Sequence, residues 1–347
     1  MALVHEHIQF HNVAELEPVT GLAGRRLQRF PAVVRAHLGF KSHTRGRFYA
    51  HRATGCELRF VTDGRFVRVT LSAIEADATA FVYRGDLAHS RHELKAGVTT
   101  TLFLEEPPFF SQVETSSLRA LRFAPAVWRV AFNQDAIVHY HHIEAFDHAL
   151  RPPRADELPT RTWLAFGSSI TFGGNALLAS NTYVQQAARR LGVDALNLGL
   201  PGSCLCEPTT ADYLAQRADW HFATLELGVN LTELATPAEV EERVRHLLAT
   251  VAHANPAKPI FVIDIFPNRA DAALDRASPS AQNTARFRQI VRRAVTELAS
   301  PHVRHLDARA ILPDFTGLSS DLLHPSDEGH LAMGERLAVL LSAHLSP

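Results

Sequence analysis

The hydrophobic period changes once along this chain, near residue 150. Before it, short segments alternate polar and apolar residues. Glu57-Leu58-Arg59-Phe60-Val61 does so, as do Phe66–Leu71 and, less strictly, Ala80–Tyr83. Thr101–Leu104, Trp128–Phe132 and Ile137–Tyr140 continue the series. Turn-forming residues separate them: Thr62-Asp63-Gly64, Arg84-Gly85-Asp86, Ala96-Gly97 and Asn133-Gln134-Asp135. A period of two with turns between segments predicts an all-β sandwich or jelly roll.

After the change, apolar runs are short and do not alternate: Trp163–Phe166, Ala195–Leu198, Phe222–Leu227, Pro259–Ile265 and Val303–Leu306. Such runs predict strands covered on both faces. Helical patterns lie between them. Pro237–His253 places Val240, Val244, Leu247, Leu248 and Val251 on one stripe, with Thr236 as N-cap. Ala281–Leu298 and Asp327–Leu345 are similar. Strands alternating with helices predict a parallel sheet with helices on both faces. The stretch DHALRPPRADELPTR, residues 147–161, has three prolines and no apolar period, so the boundary is expected there. The expected organisation is a β-sandwich over 1–150, a linker over 151–160 and an α/β domain over 161–347. That fits 347 residues at about 100–200 per domain.

Composition narrows the function. A formal net charge of -1 and a pI near 7.1 argue against a nucleic-acid-binding surface. No apolar run approaches the roughly 18–20 residues that cross a bilayer, so no membrane partner is expected. The opening MALVHEHIQFHN lacks the basic-then-apolar pattern of a secretion signal. Only Cys56, Cys204 and Cys206 are present, too few for a disulfide framework. The expected location is the cytoplasm.

In an open α/β sheet, ligands bind beyond the C-terminal ends of the strands. The segments that follow the apolar runs are therefore the candidate site. They carry Gly167-Ser168-Ser169, Gly199 through Gly202-Ser203, Gly228-Val229-Asn230 and Asp321-Leu322-Leu323-His324. Together they supply a hydroxyl, an imidazole, a carboxylate, an amide and accessible backbone N–H groups. Serine acyl transfer needs these groups. A serine hydroxyl needs a base at about 3 Å. His324 can be that base for Ser169. Asp321, three residues earlier, can lie on the same side of a helical turn and hold the imidazole. The N–H groups of Ser169 and Gly202 and the amide of Asn230 can bind an oxyanion.

These motifs resemble the SGNH, or GDSL-type, hydrolases over roughly residues 160–347. Gly167-Ser168-Ser169-Ile170-Thr171 corresponds to the nucleophile block. Asn197-Leu198-Gly199 through Gly202 matches the second block, Gly228-Val229-Asn230 the third, and Asp321 to His324 the Asp-x-x-His block. The resemblance implies a flavodoxin-like five-stranded parallel sheet. It also implies catalytic Ser169, Asp321 and His324, an oxyanion hole of Ser169, Gly202 and Asn230, and no metal or organic cofactor. Two positions depart from the pattern: Ser168 and Leu231 stand where the family usually has aspartate. The implied partner is a small acyl ester with a short acyl group, acetyl among them, on a sugar or other polyol. Alternatives are transfer of the acyl group to an alcohol, or an inactive carbohydrate-binding protein.

Other groups carry weaker signals. His139, His141 and His142 sit on one segment but lack further metal-ligand spacing, so a solvent-facing strand is expected. His330 is expected to pack or face solvent. Cys204 and Cys206 are expected as small buried residues. Arg25, Arg26, Arg29 and Arg35 are expected on a solvated face.

Overall fold

The computed structural model describes residues 3–118 and 121–345. The first two and last two residues of the expected domains lie outside it. The chain divides into two compact units. One holds residues 1–31, 51–160 and 192–194; the other holds 32–50, 161–191 and 195–347.

The first unit contains two antiparallel sheets, of six and five strands. The six expected segments are strands, most of them slightly longer than expected: Glu57–Val61, Phe66–Ala73, Ala78–Arg84, Thr99–Glu105, Val127–Phe132 and Val138–Glu144. Leu3–His5, Ile8–His11, Glu15–Pro18, Arg25–Gln28 and Leu87–Leu94 complete the sheets. Side chains from both sheets share one core. Phe10, Leu58, Phe60, Val82 and Trp128 come from one sheet and Leu27, Val69, Leu71, Leu104 and Tyr140 from the other. The alternation in Glu57–Val61 does not mark a wet face. Glu57 and Arg59 are buried, and Glu57 pairs with Arg59 at 2.8 Å and Arg129 at 2.6 Å. Burial opposes ionisation of Glu57, but the two guanidinium groups hold its carboxyl well below the usual range.

The second unit is built on a five-stranded parallel sheet. Its strands in chain order are Thr162–Gly167, Asp194–Gly199, Phe222–Glu226, Ile260–Ile263 and Val303–Leu306. Their spatial order is second, first, third, fourth, fifth, the flavodoxin-like arrangement. Trp163 pairs with Phe222, Ala223 with Ile260, and Ile260 with Val303. The strand residues are almost all buried, which accounts for the unbroken apolar runs. The helix expected over 237–253 runs Pro237–Ala254. Thr236 caps it and Glu239 reaches back to the Thr236 N–H at 2.7 Å. Ser278 and Ser326 precede the helices Pro279–Leu298 and Asp327–Ser342.

Residues 32–50, expected within the sandwich, belong instead to the second unit. Polar contacts hold them there. The Gly39 N–H donates to Glu207 at 2.8 Å, His43 Nε2 donates to the Gly202 carbonyl at 2.8 Å, and Lys41 pairs with Glu239 at 3.0 Å. Gly46 lies where an added Cβ would stand 3.1 Å from the Cβ atoms of Leu38 and Ser203. Short helices, Ala32–His37 and Arg45–Tyr49, form this segment. No helix among the described residues is long and apolar enough to cross a membrane.

Candidate active site

The first strand ends at Gly167, and the chain turns at once into the helix Ser169–Phe172. Ser168 is its N-cap, with Oγ accepting the Ile170 N–H at 3.1 Å. Gly167 has no room for a side chain. A Cβ there would overlap Thr171 Oγ1 and lie 2.6 Å from Glu226 Oε2. The turn thus presents Ser169 at the C-terminal end of the sheet, beside the next loops.

The Ser169 hydroxyl lies 2.7 Å from His324 Nε2. His324 Nδ1 lies 2.6 Å from Asp321 Oδ2. With the carboxylate on Nδ1, the ring proton sits there and Nε2 is left to accept from Ser169. The structure therefore brings together the three groups expected from distant loops. It places Asp321 differently from the expected helical turn. Leu322 has a φ of 53°, and Asp321 Oδ1 accepts the N–H groups of Leu323 and His324, each at 3.0 Å. The side chain itself closes the loop, as short polar side chains do in turns. Burial opposes the charge on Asp321, but the hydrogen bonds from His324 and the two backbone N–H groups hold its pKa below the ordinary value.

The expected oxyanion donors lie on three loops that follow strands of the parallel sheet. Asn230 Oδ1 accepts the Cys204 N–H at 3.0 Å, which leaves its NH2 group to donate elsewhere. Gly202 adopts φ 63°, a left-handed conformation suited to glycine. Among the described residues, no acceptor engages the Ser169 N–H, the Gly202 N–H or the Asn230 amide N–H groups. Asn197 braces the same edge: it donates to the Thr171 carbonyl at 2.7 Å and accepts from the Gly199 N–H at 2.9 Å.

One residue in this site was hidden in the sequence. Glu226 ends the third strand, wholly buried, and its Oε2 accepts the Ser168 N–H at 2.7 Å and the Thr171 hydroxyl at 3.1 Å. A carboxylate thus supports the nucleophile turn from another strand, although Ser168 stands where an aspartate is usual. A charged residue inside the apolar run Phe222–Leu227 was the available signal. Burial pushes the Glu226 pKa up to about 7, against the hydrogen bonds from Ser168 and Thr171. Its folded value thus lies above the ordinary 4.5, so the folded state binds more protons between these values. Stability should fall as pH rises through that window, by on the order of 3 kcal/mol at most. Glu226→Gln should flatten this fall while keeping an acceptor for Ser168. Melting curves at pH 5 and pH 8 check it: the wild type should lose roughly 5 °C more than the variant. Equal losses would refute the assignment.

Leu231 is buried in the turn after Asn230, so this position packs and does not bind. His330 is buried as well; Nε2 donates to the Gly174 carbonyl at 2.9 Å and Nδ1 accepts the Tyr183 N–H at 3.3 Å. Burial lowers its pKa to about 4, so it is a neutral brace for the loop after Ser169. Cys204 and Cys206 are buried; the hydrogen bond with Cys206 and burial raise the Cys204 thiol well above its ordinary value.

Two expectations outside the site are corrected. His139 does not face solvent: it is buried, with Nδ1 bonded to the Ala23 carbonyl at 3.1 Å, while His141 meets Ser72 Oγ at 3.0 Å. Arg29 and Arg35 are buried, not solvated, and Arg29 Nε donates to the Arg52 carbonyl at 2.8 Å. The chain there uses arginine to satisfy an interior carbonyl. No group of three or more His, Cys, Asp or Glu residues suited to a metal occurs among the described residues.

Residues 165–332 match the model of the GDSL-like lipase/acylhydrolase family. This stretch is a GDSL-like lipase/acylhydrolase domain. No curated protein sequence matches the chain. Several solved structures share its architecture. The salicylyl-acyltransferase SsfX3 from a tetracycline biosynthetic pathway is 16% identical, with 99% of this chain and 96% of that one covered and a TM-score of 0.81. A family two carbohydrate esterase from Cellvibrio japonicus is 14% identical over 99% and 96%, with a TM-score of 0.62. One from Clostridium thermocellum, in complex with cellohexaose, is 15% identical over 83% and 91%, at 0.56. At these identities the likeness carries the fold. A GDSL-like domain joined to a β-rich N-terminal region is thus an arrangement shared with solved proteins.

Proposed function

We propose that this protein is a serine esterase that cleaves short-chain acyl esters, acetyl esters of sugars or other polyols among them. One observation carries the reading: a hydroxyl, an imidazole and a carboxylate in contact order, at 2.7 and 2.6 Å. In the proposed cycle, His324 Nε2 takes the Ser169 proton as Oγ attacks the ester carbonyl. Asp321 stabilises the imidazolium through Nδ1. The Ser169 and Gly202 N–H groups and the Asn230 amide receive the negative charge on the carbonyl oxygen. His324 then passes its proton to the departing alcohol, leaving an acyl-serine. Water gives up a proton to His324 and attacks the acyl carbonyl; the bond to Ser169 Oγ breaks, His324 returns the proton to Oγ, and the free acid leaves. No step calls for a metal or organic cofactor. Three free, buried cysteines support a reducing location, the cytoplasm.

Asn230→Ala should lower kcat by about 100–1000-fold, since it removes one oxyanion donor. Steady-state kinetics on p-nitrophenyl acetate check it, and an unchanged kcat would remove Asn230 from the site. The same acyl-serine could pass to an alcohol, and solved proteins of this fold are named for either outcome. Fold therefore does not choose the acceptor. A panel of acyl esters of rising chain length, plus acetylated sugars, run with and without added alcohols, does. Free acid in every case supports the esterase; a new ester that grows with alcohol concentration supports transfer. No turnover, with no labelling by a fluorophosphonate, would leave the inactive sugar-binding reading.

A further inference from the structure

The segment 32–50 is the part of the second unit that the sequence placed elsewhere, and it adds a cation beside the oxyanion loop. The segment holds Arg35, Lys41, Arg45 and Arg47 and no acidic residue. Lys41 pairs with Glu239 and donates to the Leu234 carbonyl at 3.1 Å. Arg47 Nε donates to the Leu38 carbonyl at 3.2 Å, and Arg35 is buried. Arg45, like Arg47, is exposed and forms no ion pair among the described residues, but it donates to no backbone carbonyl there.

Arg45 is nonetheless held in place. Its Nη2 donates to the Tyr49 hydroxyl at 2.8 Å, and the guanidinium lies 5.0 Å from the Tyr49 ring centre. Tyr49 in turn meets Phe172, in the Ser169 helix, edge to face at 6.0 Å. The Arg45 side chain runs along Gly202. Its Nη1 and Nε lie 3.6 and 3.9 Å from where a Gly202 Cβ would be. His43, two residues earlier, holds the Gly202 carbonyl. A guanidinium pre-positioned on an aromatic ring, with donors unspent and no carboxylate of its own, suits an incoming anion.

We propose that Arg45 selects esters carrying an anionic group, a carboxylate, sulfate or phosphate, a few atoms from the reacting carbonyl. The inference rests on the esterase reading and names its substrate class. The anion can belong to the acyl chain or to the alcohol, and paired substrates separate the two. On the acyl side, the pair is the p-nitrophenyl monoester of adipic acid and p-nitrophenyl hexanoate. On the alcohol side, it is para-acetoxybenzoate and para-acetoxybenzamide. The quantity read is the ratio of kcat/KM, anionic over neutral, within each pair.

The wild type should favour the anionic member of at least one pair, and added salt should shrink the preference. Arg45→Ala should lower that ratio by about 10-fold or more, Arg45→Lys should restore part of it, and Arg45→Glu should reverse it. Arg47→Ala removes the same charge two residues away and should leave the ratio alone. Because the ratio is internal to each variant, partial loss of folded protein does not disturb it. No preference in either pair, or equal losses on both members in Arg45→Ala, would overturn the inference while leaving the esterase in place; the second result would make Arg45 a general support for the oxyanion. Failure of every ester, with Ser169 unlabelled by a fluorophosphonate, would instead take down the esterase reading and this inference with it.

Discussion

Ser169→Ala should lower kcat/KM for p-nitrophenyl acetate by about 10,000-fold or more, with the fold unchanged. The change deletes one oxygen at a half-buried position on a capped turn. The Ser168 cap, the Gly167 contact and the Glu226 bonds all survive it. Stability is therefore expected to move little, and the loss is one of chemistry. Residual turnover should come from substrate binding and the oxyanion donors alone, the residue 169 backbone N–H among them, since the variant loses only the hydroxyl. Far-UV circular dichroism together with kinetics checks both halves. A fall of less than 10-fold would mean that the nucleophile lies elsewhere or that no covalent step occurs.

Asp321→Asn should have the second largest effect, a fall in kcat of roughly 1,000–10,000-fold. Asparagine keeps the carbonyl oxygen that accepts the Leu323 and His324 N–H groups, so the loop should stay closed. It replaces the acceptor at His324 Nδ1, 2.6 Å away, with an amide that no longer stabilises the imidazolium. If the amide turns its NH2 toward Nδ1, the ring proton moves to Nε2 and the base is blocked. KM should change far less than kcat, because Asp321 does not touch the acyl group. The sign of the pH dependence follows as well. The Asp321 pKa is lowered, so its carboxylate persists into acid and does not set the acid limb of the rate profile in the wild type. An Asn variant with near-normal kcat would mean that His324 is positioned without Asp321.

The catalytic sheet was legible because its strands are covered on both faces, leaving unbroken apolar runs such as Trp163–Phe166. The site was legible for a related reason: short polar motifs follow those runs, and sheet topology gathers them at one edge. The sandwich was only half legible. Leu87–Leu94, LAHSRHEL, is mostly exposed and polar, and Glu15–Pro18 ends on proline; neither carries the alternation that betrays a half-buried strand. In Glu57–Val61 the alternation was real, but the polar side is buried in paired charges. Residues 32–50 could not be assigned from local pattern, because bonds to Gly202, Glu207 and Glu239, far away in sequence, fix their place. Glu226 was missed because a lone charge within an apolar run reads as tolerated rather than used, and only the fold shows what its carboxylate touches.

The most direct test is the mass of the peptide that carries FGSSITFGG after a fluorophosphonate reaction of the intact protein. A single phosphonyl adduct on Ser169, absent in Ser169→Ala and sharply slowed in Asp321→Asn, is the expected result. An adduct on another side chain, or none on a protein that hydrolyses esters, would contradict the account.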